Sequence, residues 1–252
     1  PVLCSLRAVG LAALCAVALP SVRPVFAQGA APTTDLFSSQ LPTALNSGRS
    51  EDFDALLAAD LQPELAARYQ RFSQDFPDVS WRVESGQPLA DGRPTLLVRI
   101  SGEARSDGLT YLLDAEERIA IRLEAGRLVE QELLMQNSLL RSGEKPLQVT
   151  VDIPDSVLTG SRYDVDLIVD QPLGRAMLAG GLVQLTAKQL SDQIHPNVSL
   201  APLAGGGLFK SVQAPQRPGS QTWALMLVHP DGVVTATKRV QVVSSMPSRA
   251  RI

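Results

Sequence analysis

The chain has 252 residues, of which 44% are hydrophobic and only 4% aromatic, and its formal net charge is −3. Acidic and basic residues are interspersed, so the sequence lacks the basic stripe that collects the phosphates of nucleic acids or anionic lipids. We therefore expect a globular protein with aliphatic cores, organised in one or two domains with two preferred, and no nucleic-acid partner.

Residues 1–27 have the pattern of a cleavable export signal. Arg7 precedes an apolar run from Ala8 to Leu19, and Val25-Phe26-Ala27 provides a signal-peptidase site before Gln28. The apolar run is about 12 residues long, whereas a membrane-spanning helix needs roughly 18 or more. We predict an exported protein with no membrane span after signal cleavage.

Both cysteines, Cys4 and Cys15, lie within the predicted signal. The mature chain is then expected to contain no disulfide and no thiol chemistry. Two domains of roughly 100 residues bury enough apolar surface to fold without disulfides.

The next part of the chain predicts a flexible leader at residues 28–35 and then three helices. Apolar residues recur at helical spacing, and Ser50 is a plausible N-cap for the second helix. Pro63 suits the first turn of a third helix that extends to Phe76. The residues that carry this periodicity are Leu41, Leu45, Phe53, Leu56, Leu57, Leu65, Tyr69 and Phe72.

After Pro77 the period changes from 3.6 to 2, which predicts strands. Val79, Trp81 and Val83 alternate with polar residues, and the same alternation continues to residue 141 with turns at residues 90–94, 106–108 and 125–126. We assign residues 36–141 to a first domain in which helices cover one face of an antiparallel sheet.

A polar segment, residues 142–146, is interpreted as a linker to an all-β domain at residues 147–243, followed by a tail at residues 244–252. Six or seven short strands with turns between them are typical of a β-sandwich of the immunoglobulin or fibronectin type. The predicted fold class is therefore α+β, with an all-β second domain.

The first domain resembles the nuclear transport factor 2-like superfamily, the cone-shaped fold shared by ketosteroid isomerase and scytalone dehydratase. The resemblance is carried by the order of three helices and a curved meander, and by Gly108-Leu109-Thr110-Tyr111 entering a strand pair. Enzymatic members set Asp, His or Tyr inside the cone, whereas the first domain here contains no histidine. Fold alone does not give function.

The whole chain is also similar to a group of exported cyanobacterial proteins that join this fold to an all-β tail. The stretches Leu140-Arg141-Ser142-Gly143 and Gly206-Gly207-Leu208-Phe209-Lys210-Ser211 prompt the comparison. The resemblance implies that the protein resides in the periplasm or the thylakoid lumen, with an extracellular location as the further alternative.

Six residues are predicted to line the interior of the cone, and two of them are polar amides on an otherwise apolar face. An apolar pocket with a few convergent polar groups is the usual small-molecule site, although amides satisfied by the backbone give the same pattern. These candidate ligand-binding residues are Tyr69, Trp81, Tyr111, Gln131, Met135 and Asn137.

No catalytic, cofactor-binding or metal motif stands out. His195 and His229 are interpreted as surface turn residues, because neither belongs to a metal-ligand spacing. Gly205-Gly206-Gly207 lacks the spacing of a phosphate loop and predicts a flexible interstrand loop. Five aspartates could bind calcium, but the alternation of Asp164 and Asp166 with apolar residues favours a solvated strand face. They are Asp152, Asp155, Asp164, Asp166 and Asp170.

We therefore expect a non-enzymatic binding or assembly module that has a protein partner and no cofactor. The alternative is a carrier of a small apolar ligand, or an enzyme, that uses the cone, with Tyr111 or Asp114 as acid-base groups. A third hypothesis is that the protein is a structural component of the cell envelope.

Overall fold

A computed structural model describes residues 31–106, 108–143, 146–174, 176–191 and 196–245. The predicted signal at residues 1–27 lies outside these ranges. The described chain divides into two compact units: a helical unit of residues 31–104 and 112–136, and a β unit of residues 105–111 and 137–245. The predicted α+β class is confirmed at the level of N-terminal helices followed by antiparallel β-structure.

The helical unit begins with α1 (Ala31–Asn46), α2 (Ser50–Asp54) and α3 (Gln62–Asp75). Residues 31–35, which were predicted to be part of a leader, thus belong to α1. Ser50 is the first residue of α2, and Arg49 occupies the N-cap with an extended backbone. Within the described residues, no helix is long and apolar enough to cross a membrane.

Four long strands follow the helices in the order β1-β2-β3-β4: β1 (Asp78–Gly86), β2 (Thr95–Ser106), β3 (Leu109–Glu124) and β4 (Arg127–Ser142). β1 pairs antiparallel with β2, and Trp81 lies opposite Ile100. Side chains of one strand parity are buried with the apolar faces of α1 and α3, as the alternation in the sequence predicts. The division between the two units falls within β4, between Gln136 and Asn137.

The β unit forms two sheets from the end of β4 and eight further strands. The end of β4 pairs with β12, and the order continues β12-β11-β8-β9, while β6 runs parallel to β12. The second sheet has the order β10-β7-β5. The additional elements are β5 (Val149–Asp152), β6 (Ser156–Leu158), β7 (Arg162–Val169), β8 (Leu178–Leu185), α4 (Ala187–Ser191), β9 (Ala201–Leu203), β10 (Gly207–Gln213), β11 (Gly219–His229) and β12 (Gly232–Val243).

Both sheets of the β unit contribute to one aliphatic core. Val165 and Leu167 of β7 pack with Leu225 and Leu227 of β11, and all four side chains are fully buried. Because successive residues of a strand point to opposite faces, the intervening residues of β7 face away from this core.

A chain of polar contacts crosses the same core. The indole Nε1–H of Trp223 donates to the Tyr163 hydroxyl at 2.9 Å, and that hydroxyl donates to Oε1 of Gln221 at 2.9 Å. The amide of Gln221 in turn donates to Oε1 of Gln184 at 3.2 Å. Burial raises the pKa of the Tyr163 phenol. Tyr163 of β7 therefore ties the three-stranded sheet to β11 of the other sheet.

The β11–β12 hairpin turn lies directly against the end of β4. A Cβ at Gly143 would meet the carbonyl oxygen of Asp231 at 1.8 Å, and one at Gly232 would meet the carbonyl oxygen of Ser142 at 1.9 Å. Gly143 also has a φ of +110°, a conformation that L side chains rarely adopt. Glycine at both positions lets the two backbones approach.

Candidate functional site

Tyr69 and Trp81, two of the predicted cone residues, lie in the buried aromatic cluster of the helical unit. The hydroxyl of Tyr69 donates to the carbonyl of Leu45 at 2.7 Å, and burial raises the pKa of this phenol. Its ring lies 5.3 Å from that of Phe53. Tyr69 is thus occupied in joining α3 to the end of α1.

Trp81 combines packing with an unused donor. Its ring meets that of Phe72 edge-on at 5.1 Å, and the residue is 3% exposed. The indole Nε1–H has no hydrogen-bond partner among the described residues. A buried donor left in this state is destabilising. The helical unit therefore contains one indole N–H that an acceptor could satisfy.

The four other predicted residues do not share one buried face. On β4, Gln131 is buried, but Met135 and Asn137 are half-buried, because the alternation of buried positions shifts by one residue before Gln136. Tyr111 is half-buried on β3. Tyr111 and Asn137 belong to the β unit, and Gln131 and Met135 belong to the helical unit.

Sequence reasoning missed a set of buried polar residues in the helical unit. Glu117 of β3 is 2% exposed, and its Oε1 accepts a hydrogen bond from Nε2 of Gln136 at 3.0 Å. Arg68 of α3 is 1% exposed and pairs with Glu64 at 2.6 Å. A buried carboxylate and a buried guanidinium both require such partners, since isolated charges are expensive to remove from water.

The sequence does contain a signal for these residues. Glu117 shares strand parity with Ala115 and Ile119, and Arg68 follows Leu65 by three residues on the apolar face of α3. Charged residues at such positions are rare enough to mark a site or a structural ion pair.

The interpretation of His229 as a surface turn residue is wrong. The residue is the last of β11 and is only 9% exposed. Its Nδ1 accepts the backbone N–H of Asp231 at 3.2 Å, and Oδ2 of that residue lies 3.3 Å from the same nitrogen. Nε2 is buried and has no partner among the described residues. His195 lies outside the described residues.

The predicted aspartate cluster does not assemble into a metal site. Asp155 pairs with Nζ of the buried Lys238, and Asp170 accepts a hydrogen bond from Thr150. Over the ranges that the structure describes, no group of three or more His, Cys, Asp or Glu side chains could hold a metal ion.

The remaining aspartates lie on the outer face of the three-stranded sheet, which we call the β7 face. Asp164 and Asp166 point away from the core, because Val165 and Leu167, which alternate with them along β7, point into it. Phe209 of β10 lies opposite Asp166 on this face and is 63% exposed. Phe209 is thus an aromatic side chain that the fold leaves in water.

Asp152 of β5 completes the central row of the β7 face. It lies opposite Asp166, so the row across the sheet is Phe209, Asp166, Asp152. Within the described part of the chain, neither carboxylate forms an ion pair. The neighbouring Lys210 instead lies over the ring of Trp223, 5.5 Å from its centroid.

Exposed carboxylates on the strands of the helical unit, by contrast, form ion pairs with arginine. Arg99 of β2 pairs with Glu84 on one side at 2.8 Å and with Glu116 on the other at 2.9 Å. Arg122 likewise pairs with Glu130 at 3.0 Å. Among the residues that the structure describes, the β7 face therefore differs from this sheet, because Asp166 and Asp152 form no ion pair and lie next to an exposed aromatic ring.

Comparison with known protein families found a match over most of the β unit. Residues 144–243 are similar to a domain of unknown function (DUF8623). No curated protein matches the chain. The matched segment includes β5 to β12 and hence every residue of the β7 face. The part of the chain that bears Phe209, Asp166 and Asp152 is thus the part that is similar to this domain.

Proposed function

We propose that the protein is a non-enzymatic binding module that contacts another protein through the β7 face. The single observation that carries the proposal is Phe209, an aromatic side chain 63% exposed in the middle of a β-strand. Phe209 is not one of the residues that form the core of the β unit. Aromatic residues are enriched in protein interfaces, where a partner removes them from water.

The setting of Phe209 supports this role. β10 is an edge strand of its sheet, and the loop that precedes it includes Gly205 and Gly206, where an added Cβ would meet open space. Ser211 and Gln213 follow on the same face and are exposed. A partner could therefore approach Phe209 across a polar rim, which is the usual arrangement of an interface.

Site-specific photocrosslinking tests this function. A benzoylphenylalanine in place of Phe209 should yield an adduct of discrete mass in cells that produce the protein. Leu158, which is 40% exposed on β6, provides the matched control position. An adduct at position 209 that is absent at position 158 supports the proposal, and equal labelling or no adduct at position 209 contradicts it.

We propose further that residues 36–141 form a cone of the nuclear transport factor 2-like type and that the β unit is an immunoglobulin-like sandwich. The burial of Leu65 on α3 and the edge-on contact between Phe72 of α3 and the sheet residue Trp81 support the first assignment. The core shared by the two sheets of the β unit supports the second. A crystal structure would test both assignments by the curvature of the first sheet and the sheet-packing angle of the second unit.

We also propose that the protein is exported, because residues 1–27 have the composition of a cleavable signal. The resemblance to exported cyanobacterial proteins implies the periplasm or the thylakoid lumen as its compartment, with an extracellular location as the alternative. N-terminal sequencing of the protein isolated from a fractionated cell tests this. The expected first residue is Gln28. A protein recovered from the cytoplasm with residues 1–27 attached would contradict the proposal.

The second candidate is a carrier of a small apolar ligand in the helical unit. It is favoured by the buried indole N–H of Trp81, which lacks a partner among the described residues. A ligand carbonyl or ether oxygen could accept this hydrogen bond while the aromatic cluster contacts its apolar part. Native mass spectrometry of the purified protein should then show a bound small molecule that is lost in Trp81→Phe.

A further inference from the structure

We propose that the β7 face recognises an arginine side chain of the partner protein, with the guanidinium lying on the ring of Phe209 and paired with Asp166 and Asp152. The inference rests on the proposed function, because it names the chemistry of the partner at the same surface. It concerns one row of three side chains across the three-stranded sheet.

The register of the sheet places the required groups side by side. Residues directly opposite each other on antiparallel strands have Cβ atoms about 4.5–5.5 Å apart. Phe209, Asp166 and Asp152 therefore form a strip in which an aromatic ring adjoins two carboxylates. The backbone N–H of Lys210 donates to Oδ1 of Asp166 at 3.2 Å, which holds that carboxylate beside β10.

The two negative charges of this strip would be stabilised by a cation that a partner protein supplies. Asp152 and Asp166 are like charges directly opposite each other, an arrangement that destabilises a sheet. In the helical unit, by contrast, Arg99 separates Glu84 from Glu116 and pairs with both. No described cation takes that position on the β7 face. Arg162 lies on the same face but opposite Gln213, away from the central row.

Arginine fits this strip better than lysine does. A planar guanidinium can stack on an aromatic ring and at the same time donate hydrogen bonds in its plane to carboxylate oxygens. The lysine ammonium is a strongly hydrated point charge that cannot satisfy both contacts with one planar surface. The adjoining ring of Phe209 is thus the feature that selects for arginine.

Binding of a defined peptide to the full mature chain tests the inference. The probe is the acetylated, amidated heptapeptide Gly-Ser-Arg-Gly-Arg-Ser-Gly, compared with analogues in which both arginines are replaced by lysine or by citrulline. Titrations monitored by NMR should show tighter binding of the arginine peptide, about fivefold over lysine, and none of citrulline. The affinity should fall as salt is added.

Variants locate the binding on the strip. Phe209→Ala should weaken the arginine peptide about fivefold and abolish the preference over lysine, and Asp166→Asn should weaken both peptides. Leu158→Ala and Asp60→Asn, which change exposed residues elsewhere, should leave the affinity unchanged. The dispersion of the NMR spectrum of each variant serves as the control for its folding.

Equal affinity for the arginine and lysine peptides, or an unchanged affinity in Phe209→Ala, would overturn the inference. If the crosslink at position 209 forms but the arginine peptide does not bind, arginine recognition is wrong and the protein-binding function stands. If neither occurs, both are wrong.

Discussion

The side-chain amide of Asn46 binds the backbone of Trp81 through two hydrogen bonds. Its Nδ2–H donates to the Trp81 carbonyl at 2.8 Å, and its Oδ1 accepts the Trp81 backbone N–H at 2.8 Å. Asn46 is the last residue of α1, and β1 is an edge strand. The amide thus takes the place of a neighbouring strand at one position of that edge and joins α1 to β1.

Asn46→Ala should lower the free energy of unfolding by about 1–2 kcal/mol, because both backbone groups of Trp81 lose their side-chain partner. Gln40→Ala, at an exposed position of the same helix, provides the control and should change it by less than about 0.5 kcal/mol. Urea unfolding of the three proteins measures the difference. Equal midpoints for wild type and Asn46→Ala would show that these hydrogen bonds contribute nothing.

Glu117→Ala should be among the most destabilising single changes in the helical unit, at about 3 kcal/mol or more. It opens a cavity and removes the Oε1 atom that accepts a hydrogen bond from Nε2 of Gln136. Glu117→Gln keeps an acceptor oxygen in the same place and should cost less. The neighbouring Glu116→Ala removes a surface pair with Arg99 and should cost at most about 1 kcal/mol. Thermal or urea denaturation would rank the three variants, and a neutral Glu117→Ala would contradict the assigned role.

Tyr163→Phe should destabilise the β unit by about 1–3 kcal/mol. The hydroxyl both accepts from Trp223 and donates to Gln221, so its loss leaves buried polar atoms without their partner. Ser211→Ala, on the exposed face of β10, is the matched control. Urea unfolding followed by tryptophan fluorescence measures both. A loss no larger than that of the control would show that the contacts across the core are dispensable.

Stability should decrease in alkaline solution. Burial raises the pKa of Tyr69 and of Tyr163, so the folded chain holds both phenolic protons more tightly than the unfolded chain does. This contribution is fully present below the unfolded tyrosine pKa of about 10 and is lost as the pH rises through the folded values. Urea titrations between about pH 8 and pH 11 should show the decrease, and the Tyr69→Phe, Tyr163→Phe double variant should show a shallower one. An identical slope for both proteins would rule out this origin.

Gly143→Ala should destabilise the β unit by several kcal/mol, on the order of 3, since its Cβ would overlap the carbonyl oxygen of Asp231 and its φ is positive. Gly205→Ala places a Cβ in open space and should be nearly neutral. Thermal denaturation distinguishes the two substitutions. Equal melting temperatures would mean that the hairpin turn can move away from β4 at little cost.

Local patterns in the sequence were sufficient for most of the elements. Val79, Trp81 and Val83 alternate with polar residues because one face of β1 is buried, and the structure contains this strand. The helical spacing of apolar residues likewise predicted α3, because Leu65, Tyr69 and Phe72 lie on its buried face. In both cases a single amphipathic face decides the local structure.

The candidate site was harder to predict, because strand parity is reliable only while the alternation is uninterrupted. On β4 the buried positions Gln131 and Leu133 are followed by Gln136 and Ser138, so extrapolating parity from Leu133 predicted full burial for Met135 and Asn137, which are half-buried. The exposure of Phe209 was also hidden, since an aromatic residue in a strand normally predicts a core position.

Each of the two units contains one tryptophan, which can serve as its fluorescent label. The chain contains two tryptophans, Trp81 in the helical unit and Trp223 in the β unit, and both indoles are buried. Trp223→Phe therefore leaves an emission that responds to the melting of the helical unit, and Trp81→Phe leaves one that responds to the β unit. The two emissions can establish whether the units unfold in one transition or in two.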